Sequence, residues 1–127
     1  MISVKKTLYK IAEAISALKT DYVTEEGSSG AWRYRKWSSG KVEAWAALTL
    51  TSKTPTVWAS PVRYIDDTVT IPSEIFTSTP VVTAMSKTNQ LWIVTANATN
   101  ATTIPMRFAT VASSAQTGYV TIYAWTY

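Results

Sequence analysis

The stretch Ala31-Trp32-Arg33-Tyr34-Arg35-Lys36-Trp37-Ser38-Ser39-Gly40-Lys41-Val42-Glu43-Ala44-Trp45 constrains this chain more than any other. Ser38-Ser39-Gly40 separates two runs of β-favouring residues. A three-residue loop with glycine in the left-handed position is a common hairpin connection. That loop pairs Trp37 with Lys41, Arg35 with Glu43 and Arg33 with Trp45. One face then carries Arg33, Arg35, Trp37, Lys41, Glu43 and Trp45; the other carries Trp32, Tyr34, Lys36, Val42, Ala44 and Ala46. A two-residue Ser39-Gly40 turn would put Arg33 and Arg35 on the face of Val42, Ala44 and Ala46. A one-residue slip turns every side chain over, and alternation should gather apolar residues together. The three-residue loop therefore gives the better register. It sends Trp32, Tyr34, Val42 and Ala44 into a core. It also sets Arg35 opposite Glu43 and Arg33 near Trp45, cross-strand pairs worth roughly 0.2–1 kcal/mol each.

Beyond the hairpin the sequence offers short strand candidates at Val42–Thr51, Val57–Ala59, Val62–Ile65, Thr68–Ile71, Val81–Met85, Leu91–Ala96, Met106–Ala112 and Tyr119–Thr126. Threonine, valine, tyrosine and tryptophan dominate them, as strands prefer. The prolines Pro55, Pro61, Pro72, Pro80 and Pro105 fall at proposed strand ends or between strands, where they remove no ladder hydrogen bond. Thr20 to Gly30 reads as an acidic junction broken by Gly27-Ser28-Ser29-Gly30. No second long helical segment follows, so the expected fold is all-β: an antiparallel β-sandwich or jelly-roll-like head. In the last strand Val120, Ile122 and Ala124 face one way. Tyr119, Thr121, Tyr123, Trp125 and Tyr127 face the other, toward a second sheet, a neighbouring subunit or a ligand.

Residues 3–22 read as a helix. Val4, Leu8, Ile11, Ile15, Leu18 and Tyr22 are spaced 4-3-4-3-4, a strict heptad seam. A helix lying on its own domain usually shows a wider apolar stripe, so the narrow seam predicts self-association. The alternative is a single helix packed against its own sheet. Isoleucine and leucine occupy both seam positions, so the helix alone does not fix the number of strands. The expected division is a coiled-coil stem over residues 1–22 and a β head over residues 23–127.

The chain has 127 residues, no cysteine and no histidine. That removes disulfides, Cys/His zinc sites and histidine-based nucleophilic or acid–base chemistry. Nothing in the residue set calls for a cofactor or metal. The net charge of +4 permits an anionic partner without demanding one. No run approaches the roughly 20 apolar residues of a membrane span, and Glu13 and Ser16 interrupt the apolar stretch a secretory signal would need.

One motif is more specific than these patterns. Val23, Glu25, Gly27, Ser29-Gly30, Trp32, Tyr34-Arg35-Lys36-Trp37, Ser39-Gly40, Glu43 and Trp45 resemble a segment in tail proteins of siphophages and related prophages. There it opens the C-terminal β domain of tail-fibre, baseplate or receptor-binding proteins. The similarity continues through Phe76 to Ala84, Asn97 to Thr103 and Val120 to Ala124. The chain departs from the pattern at Ala44, where the family often has cysteine, at Ala46, where it has glycine, and in its Trp125-Thr126-Tyr127 ending. The resemblance implies a virion component made in the bacterial cytoplasm, trimeric, with the helix as stem and the β domain as head. Its implied partners are further copies of the chain and other phage tail proteins.

Candidate chemistry in the β region is sparse. A glycosidase needs two carboxylates about 5–10 Å apart. Asp66-Asp67 is the one acidic cluster there, expected in a turn between strands, so no enzymatic activity is expected. The basic-aromatic hairpin has the ingredients of a single-stranded nucleic-acid site, but Glu43 offsets its charge and no nucleic-acid partner is expected. Sugar sites pair an exposed ring with amides or carboxylates that bind hydroxyls. On that basis Trp58, Tyr64, Asp66, Asp67, Asn89, Trp92, Asn97 and Asn100 are the candidate receptor-binding residues, expected mostly in or beside loops. The expected function is adhesion to a bacterial surface glycan; the alternative is a purely structural tail component.

Overall fold

The computed structural model describes residues 3–18, 20–87 and 91–127. One helix, α1 (Val4–Leu18), precedes nine strands within the described residues. They are β1 (Val23–Ser29), β2 (Trp32–Trp37), β3 (Val42–Thr49), β4 (Thr56–Ala59), β5 (Val62–Thr70), β6 (Val81–Ser86), β7 (Leu91–Ala96), β8 (Thr103–Thr110) and β9 (Tyr119–Thr126). They form two antiparallel sheets, ordered β1-β2-β3-β9-β6 and β4-β5-β8-β7. After α1 the chain is thus mostly antiparallel β-structure, as the alternation and turn signals predict.

The hairpin has the expected register. Arg33 pairs with Trp45, Tyr34 with Ala44 and Arg35 with Glu43. The Trp37 amide donates to the Lys41 carbonyl at 2.8 Å, and Gly40 sits at φ 94°, a conformation that only glycine adopts cheaply. Alternation then sends Trp32, Ala44 and Ala46 inward. They meet Val120, Ile122 and Ala124 of β9, Ile65 and Val69 of β5, and Ile104, Met106 and Phe108 of β8 in one core. Ile71, Ile75 and Phe76, from the connection between β5 and β6, close it. Burying each such large side chain contributes about 1.5–3 kcal/mol.

Four expectations need correction. The first concerns the glycine-serine junction, most of which is strand β1. Its acidic residues find basic partners across the ladder: Glu26 takes the Arg35 Nε at 2.6 Å, and Glu25 lies 3.5 Å from the Lys36 ammonium. At Gly27 the Tyr34 ring lies so close that a Cβ there would fall 2.5 Å from its hydroxyl. The ring replaces the side chain that glycine lacks, and pairing overrides the local preference for a break. Secondly, Val62–Ile65 and Thr68–Ile71 join into the single strand β5, which carries Asp66 and Asp67 through the interval read as a turn.

Pro105 is the third correction, because it lies inside β8 rather than at its end. Its carbonyl accepts from the Asn97 amide at 3.4 Å. The imide nitrogen faces that same side, where β7 has already ended, so no ladder donor is missing. Finally, the helix stops at Leu18, and Tyr22 lies beyond it. Asp21 instead receives bonds from the hydroxyls of Ser38 (2.8 Å) and Ser39 (2.7 Å) and the Ser39 amide (2.9 Å). These bonds tie the chain entering β1 to the β2–β3 loop and hold the Asp21 carboxyl below its ordinary range.

The described side chains of α1, residues 4–14, are all exposed; Val4 and Leu8 keep 75% and 61% of their surface. That part of the seam does not lie on its own sheet. No helix among the described residues is long and apolar enough to cross a membrane.

Candidate functional site

The outer face of the four-stranded sheet carries a group of side chains that the register brings together. Along β5 the pleat turns Ile65, Asp67 and Val69 toward the core side, and Tyr64, Asp66 and Thr68 outward. Asp66 pairs directly with Arg107 of β8. The guanidinium meets the carboxylate fork on fork, with Nε to Oδ1 at 2.7 Å and Nη2 to Oδ2 at 2.9 Å, the strong bidentate geometry. This pair holds the Asp66 carboxyl below its ordinary value and raises Arg107 further.

The same guanidinium lies 4.0 Å from the Tyr64 ring centroid and 5.0 Å from that of Trp58. A planar, delocalised cation stacks on rings in a way that an ammonium does not. Trp58 and Tyr64 meet edge to face, 6.0 Å apart at 81°. Trp58 reaches this position through a register shift between Val57 and Ala59, the kind of irregularity that re-aims a side chain. The result is a braced aromatic wall in which Trp58 remains 57% exposed.

Beside the wall lies an open cleft of about 750 Å³, lined by Lys53, Asp66, Asp67, Thr68, Thr95, Ala96, Asn97, Thr99, Pro105, Met106 and Arg107. Lys53 is held by a reciprocal backbone bridge to Gln116. Its ammonium donates to the Asp66 carbonyl at 2.9 Å and lies 3.5 Å from the Asp67 carboxylate. Asn97 sits exposed on the rim, and among the described residues its carboxamide makes no hydrogen bond.

Of the sequence-predicted residues, Trp58, Tyr64, Asp66, Asp67 and Asn97 therefore gather at the wall and cleft. They sit mostly on strands, not in loops as expected. Asp66 and Asp67 both line the cleft, but the pleat turns their side chains to opposite faces of β5. Asn100 lies apart: its Oδ1 accepts from the Thr102 amide at 2.9 Å and the Thr102 hydroxyl at 3.1 Å, which shapes its own loop. Trp92 is in β7, but its side chain, like the whole of Asn89, is outside the described residues. Sequence reasoning missed Arg107 and Lys53. For Arg107 the available signal was a lone charge inside the β-like run Met106-Arg107-Phe108.

A second aromatic surface lies on the outside of the five-stranded sheet. Glu43 is half-buried there, accepting from Trp37 Nε1 at 3.0 Å and from the Tyr123 hydroxyl at 2.6 Å, with Lys41 at 3.8 Å. The Tyr123 bond is the main cause that lowers the Glu43 carboxyl, and the same bond pushes Tyr123 up to about 12. Tyr123 stacks on Trp125 at 5.3 Å. Arg35 faces Glu43 in the ladder but takes Glu26 as its ion-pair partner. It is also Arg35, not Arg33, that lies over Trp45, at 5.5 Å. The second sheet covers Val120, Ile122 and Ala124, so the aromatic face of β9 is turned outward.

No protein-family model and no curated protein matches the chain. Its fold does match a solved structure, that of an N-truncated R1-type pyocin tail fibre. The TM-score is 0.60 at 15% sequence identity, over 91% of this chain and 95% of that one. At that identity the likeness is one of architecture: the chain has a tail-fibre fold.

Proposed function

We propose that this chain is a non-enzymatic phage tail-fibre head that assembles as a homotrimer and attaches to a bacterial cell surface through a glycan. Residues 1–22 form the stem in this reading, and residues 23–127 the head. The tail-fibre architecture supports a place in the virion beside other tail proteins. The observation that carries adhesion is the braced wall: an indole held outward by Tyr64 and Arg107, next to an open cleft with hydroxyl and amide groups. Trimerisation is supported by the uncovered seam at Val4, Leu8 and Ile11. In the continued seam Ile15 and Leu18 would join them, with Tyr22 at the stem–head junction. A helix this short is marginal alone in water, so the heads must also meet. The outer face of β6 and β9, with Val81 and Met85 exposed, offers a surface for that contact. Three weak sites on one rigid particle then gain avidity from effective concentration.

Assembly without receptor binding is the second reading. Its support is that Arg107, Asp66 and Tyr64 satisfy one another and so stabilise the sheet without any ligand. Binding of the labelled chain to a panel of intact bacteria separates the two. Saturable binding to some strains favours adhesion; a folded trimer that binds none favours assembly. Light scattering at micromolar concentration should give about three times the chain mass of 14.0 kDa, and Leu8→Glu should give the monomer mass. A monomeric parent chain would sink the trimer and the avidity argument together.

A further inference from the structure

The charges at the cleft cancel one another locally, and this bears on what it can hold. Two cations and two carboxylates line it, and each cation is already engaged. Arg107 spends its fork on Asp66 at 2.7 and 2.9 Å and one face on Tyr64 at 4.0 Å. Lys53 points at the Asp66 carbonyl at 2.9 Å and at the Asp67 carboxylate at 3.5 Å. An incoming phosphate or carboxylate would find only the guanidinium N–H groups that the bidentate pair leaves over, and would sit beside the Asp66 charge. Taking the whole fork would mean separating the pair, which is unfavourable because the carboxylate is left without its charge-assisted bonds.

The groups that remain turned outward are of another kind. Trp58 exposes more than half its surface, and an indole face suits the C–H side of a pyranose ring. The Asn97 carboxamide, a donor and an acceptor, is unengaged among the described residues. The Thr68 and Thr99 hydroxyls at the cleft can donate or accept. Asp66 stays largely exposed beside its guanidinium, and each carboxylate oxygen keeps a lone pair for a hydroxyl donor. A vicinal diol can use these acceptors; an anion cannot.

Resting on the adhesion reading above, we infer that the cleft and wall take an uncharged glycan, and that anionic envelope polymers such as phosphate- or uronate-bearing chains are excluded. The test uses the full chain and a strain that it binds. Polysaccharide released from those cells is split by anion exchange into neutral and acidic pools, and each pool competes for cell binding. The neutral pool should compete, and cell binding should change less than about twofold between low and high salt, since short-range uncharged contacts are not screened. Trp58→Ala should abolish capture of the neutral pool. Competition by the acidic pool, with binding that falls about tenfold or more at high salt, would overturn the neutral assignment and leave adhesion standing. Competition by neither pool, or a Trp58→Ala chain that captures the neutral pool as well as its parent, would overturn the assignment as well. A chain that binds no cell would remove the adhesion reading and this one with it.

Discussion

Glu43 shows how a single carboxylate organises the outer face of the five-stranded sheet. It accepts from an indole and a phenol, and hydrogen bonds to a charged group contribute about 1.5–3 kcal/mol when they are sheltered. Its folded-state pKa lies below the ordinary 4.5. Its contribution is therefore complete above that value and lost as pH falls through the folded value. Tyr123 moves in the opposite direction, from 10.0 to about 12. Its contribution is complete below pH 10 and lost as pH rises toward 12. Thermal melts across pH should show both declines, and Glu43→Gln should flatten each; a variant with the parent profile would contradict this. At this scale the sequence was legible by residue type. Trp58, Tyr64 and Asp66, singled out by residue type as sugar-site candidates, do come together on the sheet. Arg107 was not legible, because its bond to Asp66 spans 41 positions and only the sheet makes them neighbours. Asp67 reaches the cleft from the other side of the pleat, against Lys53, and Asn100 matches in type but turns into its own loop.

Among the elements, the β2–β3 hairpin was readable to the residue, since loop length and apolar alternation together leave one register. Strand β1 was not readable. Gly27, Ser28, Ser29 and Gly30 carry a breaker's composition, and the strand forms because β2 supplies Arg35, Lys36 and the Tyr34 ring as partners. The Asp21 clasp was equally hidden, for it depends on the hairpin loop already being folded. It carries its own prediction. Asp21→Ala removes the acceptor of the Ser39 amide, so that amide should lose hydrogen-exchange protection while the Trp37–Lys41 pair keeps its own. Unchanged exchange at Ser39 would show that the clasp does not hold in solution. For α1, the heptad spacing was plain, while the point where it ends was not.

For the whole molecule, alternation and turn signals predicted antiparallel strands but not their order. Strand β9 inserts between β3 and β6, and β8 between β5 and β7. All of these pairings except β7–β8 join distant parts of the chain, and local sequence has no means of specifying them. What joins the sheets is the shared core, where Phe108 is almost fully buried. Phe108→Ala should cost about 3–5 kcal/mol in denaturant unfolding; a loss under about 1 kcal/mol would mean that the sheets do not pack as described. The same packing leaves the opposite face of the four-stranded sheet free, and there the wall stands. Contact of this wall with the host surface is the core of the proposed function. Its most direct test is the binding of parent and Trp58→Ala chains, side by side, to a strain that retains the parent. At equal oligomer mass and melting temperature, Trp58→Ala should show at least about a tenfold loss of binding, as for an aromatic hot spot. Undiminished binding by Trp58→Ala would contradict it.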